Sequence, residues 1–66
     1  MKFIILHAIQ NAGAYYINVD EISGIYRKPG VNYTEVAMKN GGGYEVTEKP
    51  LDIIDLIDGK ILQVKN

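Results

Sequence analysis

Few side chains of this chain are of types that do covalent chemistry. His7 is the one histidine, Ser23 the one serine, and cysteine is absent. Nucleophilic catalysis needs a hydroxyl or thiol beside a base that is itself oriented, and a zinc centre draws on several His and Cys ligands. The chain supplies neither set, so His7 is read as a strand histidine with a satisfied hydrogen bond. Asp52, Asp55 and Asp58 recur at a spacing that lines one helix face. Such a stripe could hold a divalent cation or meet a basic partner, and its plainer reading is a solvated helix surface. Asn40-Gly41-Gly42-Gly43 could bring backbone amides close to a phosphate, but the Lys-Ser/Thr and the helix that complete a phosphate loop do not follow it. A wide hairpin turn, free to grip a ligand or partner, is the better reading. No catalytic residue, metal ligand or cofactor is expected.

Binding chemistry is easier to find. Tyr26, Arg27 and Lys28 with Tyr33 put aromatic and basic groups around one loop, an arrangement suited to single-stranded nucleic acid or a nucleotide. Five tyrosines in 66 residues, including the adjacent Tyr15 and Tyr16, also suit a protein interface, where tyrosine offers a rigid surface with a polar tip. A formal net charge of -1 argues against a nucleic acid polymer. A protein partner therefore ranks first and a small nucleotide second, with Tyr15, Tyr16, Tyr26, Arg27, Lys28, Tyr33, Gly41, Gly42 and Gly43 as candidate contacts.

The elements that position these residues follow from pattern and punctuation. Residues 2–9 are a β-rich run, apolar on both parities, which predicts a central strand. Asn11-Ala12-Gly13 turns the chain into a second strand, Ala14 to Asn18, with Gly13 at positive φ. A tight turn over 19–22 follows, capped by Asn18 or Asp20. A third strand from Ser23 to Lys28 stops at Pro29-Gly30, a fourth runs from Tyr33 to Lys39, and the glycine turn leads to a fifth, Tyr44 to Thr47. From about residue 50 the period becomes helical up to residue 58, with Pro50 suited to the first turn and Gly59 to the left-handed residue beyond the end. The expected core comprises Phe3, Ile5, Ile17, Ile22, Ile25, Val36, Met38 and Val46 from the strands, and Ile53, Ile54 and Ile57 from the helix.

At this length the chain is one small β-rich domain, 1–66, of the α+β class: a meander of about five antiparallel strands, one C-terminal helix and an extended tail over 60–65. A domain this small needs help to be stable, and without cysteine the favoured help is self-association. Ile61, Leu62 and Val64 of the tail are the candidate interface, pairing with a free sheet edge of the same chain or a neighbour. The apolar run within Met1–Gln10 is shorter than a membrane span and has no small-residue cleavage site, so it is read as the first strand, with a cytoplasmic location and no membrane partner expected.

One resemblance rests on particular residues. Ile17-Asn18-Val19-Asp20-Glu21-Ile22, the Thr34-bearing strand, Lys39-Asn40-Gly41, Tyr44-Glu45-Val46 with Glu48, and the short apolar helix make residues 2–58 similar to the small FlbD and SwrD family, which is associated with bacterial flagella and swarming motility and includes phage-encoded relatives. The chain departs from that pattern in its longer glycine turn, in Pro50 and in the tail. The resemblance implies a motility-type adaptor and no catalytic residues; with the self-association that small size favours, the reading is a non-enzymatic, homo-oligomeric interaction module, either that adaptor or a phage-type inhibitor of a host protein. The alternative is a phage-derived protein that binds or sequesters a nucleotide signal in a pocket at an oligomer interface.

Overall fold

The structure, a computed structural model, describes residues 2–59. The expected tail strand over 60–65 and its interface residues Ile61, Leu62 and Val64 lie outside the described residues. Five strands and one helix follow in chain order: β1 (Phe3–His7), β2 (Ala14–Asn18), β3 (Ile22–Tyr26), β4 (Thr34–Met38), β5 (Gly43–Val46) and α1 (Pro50–Ile57). The chain is thus the α+β arrangement that its pattern predicts, with every strand pair antiparallel. The strands group into a β1–β2 sheet and a β3–β4–β5 sheet, joined among the described residues by an isolated antiparallel bridge between Ala8 and Val46.

Local chemistry explains the corners. The Asn18 side chain accepts from the Asp20 N–H at 3.0 Å, so asparagine caps the one-turn 3-10 segment that carries the chain from the first sheet to the second. Gly13 sits at φ 111°, as a turn glycine should, but the loop before it also holds Gln10 at φ 59° and Asn11 at φ 55°. Asparagine tolerates the left-handed region through its short polar side chain; glutamine has no such excuse and carries strain there. Pro50 opens α1, and Gly59 leaves it at φ 76°.

The core differs from expectation on β1. Ile4, Leu6 and Ala8 are buried, together with Ile17, Val36, Val46, Ile53 and Leu56, whereas Phe3 is 54% exposed and Ile5 half-buried. The strand is apolar at nearly every position, so a period of two gives no contrast, and a one-residue choice of register sends the whole set to the other face. Pairing with β2 decides it, placing Ile4 opposite Ile17. On α1 the buried positions are Ile53 and Leu56, while Ile54 is 43% exposed because it points away from the strands. Ile22, Ile25, Met38 and Ile57 are half-buried and pack against the core. Thr34 is buried in that core, and its hydroxyl has no hydrogen-bond partner among the described residues.

Candidate functional site

Where β1 and β5 meet, the two sheets are held together at one end and part at the other. At the closed end Thr47 N–H donates to His7 O at 2.9 Å, next to the Ala8–Val46 bridge. Glu48 completes the closure: its carboxylate accepts from the His7 backbone N–H at 2.9 and 3.2 Å and meets the ring Nδ1 at 2.5 Å. A carboxylate here takes the place of a strand partner for His7, which is the satisfied strand histidine that the sequence suggests.

Beyond the bridge the seam opens into a cleft of about 710 Å³. One wall is the strained loop, Ala8 to Gln10 with Ala12; the other is the glycine turn and the start of β5, Gly41 to Glu45. Backbone polarity along β5 can be assigned from its neighbours. Met38 N–H donates to Gly42 O, and Thr47 N–H donates to His7 O on the opposite side. Because main-chain groups alternate sides along a strand, Gly42, Tyr44 and Val46 bond β4, while Gly43 and Glu45 aim at the cleft. Among the described residues, the Glu45 N–H and both backbone groups of Gly43 have no backbone partner there.

The cleft wraps over this edge and reaches both faces of the sheet. On the inner side Tyr15 and Tyr44 pack with ring centroids 4.5 Å apart at a 48° tilt, a favourable aromatic geometry. On the outer side Tyr26, Glu35 and Glu45 stand side by side across β3, β4 and β5, since Tyr26 pairs with Glu35 and Glu35 with Glu45. Next to them Gly24, Ala37 and Gly43 form a row of small residues. Two carboxylates directly opposite one another repel. Lys28 Nζ, at 4.0 Å from Glu35 Oε1, offsets this only in part. Glu35 holds the Tyr26 phenol above its ordinary value of 10.0, first through side-chain hydrogen bonding and then through its charge. Glu35 Oε2 lies out of solvent without a hydrogen-bond partner among the described residues.

The structure therefore gathers part of the predicted set. Tyr15, Tyr26, Gly41, Gly42 and Gly43 line the cleft. Tyr16 does not: it is 69% exposed on the far face of β2. Arg27 spends its Nε–H on Val31 O at 3.0 Å, Lys28 faces Glu35, and Tyr33 is half-buried before β4; none of the three lines the cleft. Glu35, Glu45 and Tyr44 are cleft residues that a search for aromatic and basic clusters passes over, although the Tyr44-Glu45-Val46 alternation already marks a strand with one charged face. Asp52 and Asp55 lie on α1 and Asp58 caps its C-terminal end, and no group of three or more potential ligands is assembled among the described residues. No helix among the described residues is long and apolar enough to cross a membrane. The chain matches no family model, and neither a curated protein nor a solved structure matches it significantly.

Proposed function

We propose that this protein is a non-enzymatic interaction module that receives an extended segment of a partner protein along the β5 edge. The observation behind this reading is the open seam: Gly43 turns its main-chain groups, and Glu45 its N–H, toward a cleft of about 710 Å³ flanked by tyrosines. Strand addition draws affinity from such main-chain groups and selectivity from pockets for alternate side chains. A motility-type adaptor or a phage-type inhibitor, working in the cytoplasm as a homo-oligomer, is the role that agrees with the resemblance to the FlbD and SwrD family. A nucleotide is less well supported, because Arg27 and Lys28 stand apart from the cleft and its charged lining is Glu35 and Glu45.

The test is amide hydrogen exchange by NMR, with peptides selected from a random display library on the immobilised protein. Bound peptide is expected to slow exchange of the Gly43 and Glu45 amides. Selected peptides that protect other amides and leave these two unchanged would show that the edge is not the receptor.

A further inference from the structure

Main-chain groups of successive strand residues point to opposite sides, so the bonds between β1 and β2 also tell which residues of β2 face away from β1. Val19 N–H donates to Lys2 O and Ala8 N–H to Gly13 O, which turns Gly13, Tyr15, Ile17 and Val19 toward β1. Ala14, Tyr16 and Asn18 turn their main-chain groups outward, where they have no backbone partner among the described residues. The other strand edges are guarded. His7 of β1 is covered by Thr47 and Glu48. A register irregularity lies between Ile22 and Gly24 of β3, which runs on into Arg27-Lys28-Pro29, and β5 carries Glu45 beside the Ala8–Val46 bridge. Charges, proline and bulges keep edge strands from pairing with copies of themselves. Ala14-Tyr15-Tyr16-Ile17-Asn18 has none of these, and Tyr15, Tyr16 and Ile17 are types that favour a sheet.

We infer that β2 pairs with β2 of a second copy, antiparallel about a two-fold axis at Tyr16, which joins the two copies in one sheet of order β1–β2–β2–β1. The inference rests on the homo-oligomer part of the reading above and is independent of the segment received at β5. The occupant is a second copy because the guards missing from β2 are the ones that act against self-pairing. The outward groups set the register. Tyr16 falls opposite Tyr16 of the other copy and Ala14 opposite its Asn18, each pair exchanging both N–H···O bonds; a shift by two residues leaves Ala14 or Asn18 without its match. No charged side chain lies in the paired stretch, so the copies meet without repulsion. Facing residues share a side of the sheet, and the two Tyr16 rings, 69% exposed in the single chain, come together there with Phe3, 54% exposed, diagonal to each. A two-fold contact uses the same patch on both copies, so it closes and leaves no β2 edge for a third.

The experiment follows the full chain over a concentration series by sedimentation and by amide exchange, with Tyr16→Lys and Tyr16→Glu beside the wild type. Tyr16 lies outside the core, and NMR spectra confirm that all three proteins share one fold. The wild type is expected to dimerise, with protection of the Ala14, Tyr16 and Asn18 amides rising with concentration. Each variant alone sets like charges on the axis and is expected to dimerise about tenfold more weakly or worse. An equimolar mixture of the two variants is expected to recover the dimer through opposite charges, more so at low salt. A wild-type dimer that leaves those amides unprotected, that Tyr16→Lys does not weaken, or that the mixture does not recover overturns the placement on β2 and leaves the homo-oligomer standing. A wild type that stays monomeric throughout the series overturns both.

Discussion

The two ends of the β1–β5 seam lie within a few residues of each other and have opposite fates. At the closed end Val46 is wholly buried, Ala8 bridges to it, and Glu48 caps the His7 N–H. At the open end, a few residues earlier on β5, the side chains are Gly43 and Glu45, and the facing chain has swung away through two left-handed residues, Gln10 and Asn11. The contrast shows what keeps a strand edge free in a small domain. An edge is sealed where apolar side chains beneath it can be buried together; it stays open where the residues are small or charged and the neighbouring loop is bent away from pairing.

The largest blow to the closed end comes from below it. Ile53 belongs to the same buried cluster as Leu6 and Val46, and Ile53→Ala is expected to cost about 2–5 kcal/mol, measured as a fall in the urea midpoint; the closed end should then exchange amides as fast as the open end. Removing the carboxylate cap is next. Glu48→Ala leaves the His7 N–H without its acceptor, and a loss of about 0.5–1.5 kcal/mol with faster exchange at His7 would show that a side chain does the work of a strand partner there. Unchanged exchange at His7 would contradict it.

Two smaller effects sharpen the comparison from within β4 and β5. Thr34, paired with Val46 at the closed end, buries a hydroxyl without a partner; Thr34→Val is expected to raise stability by about 1 kcal/mol in the same urea assay. At the open end Glu45→Lys replaces a repulsive cross-strand pair with an attractive one and is expected to gain about 0.2–1 kcal/mol, shrinking as salt is added. The smallest effect is on titration. Because Glu35 raises the Tyr26 phenol above 10.0, the folded state retains that proton after the unfolded chain has released it. Stability from this contact is complete below pH 10 and declines as the pH climbs toward the folded-state value. Ring-carbon NMR should find Tyr26 ionising later in the wild type than in Glu35→Gln; equal midpoints would place the cause elsewhere.

Much of this molecule can be read from its residues. Asn18 before Val19-Asp20-Glu21, the glycine turn, Pro29-Gly30, Pro50 and Gly59 each impose a local conformation whose energy depends on one or two neighbours, so they place the turns, the capped 3-10 segment and the helix wherever the chain goes. The alternation from Thr34 to Val46 likewise separates a core face from a charged face. The face of β1 lies beyond that reach, because Phe3, Ile4, Ile5 and Leu6 are equally apolar and burial goes to whichever parity β2 and α1 cover. The cleft lies further still. Glu35, Glu45, Tyr15 and Tyr44 come from both sides of a seam that forms only when two sheets meet, and its opening depends on a bend at Gln10 that glutamine does not favour on its own. Local preferences acting over a few bonds set the elements; the division of one seam into a sealed and an open half is decided by side chains brought together across the fold.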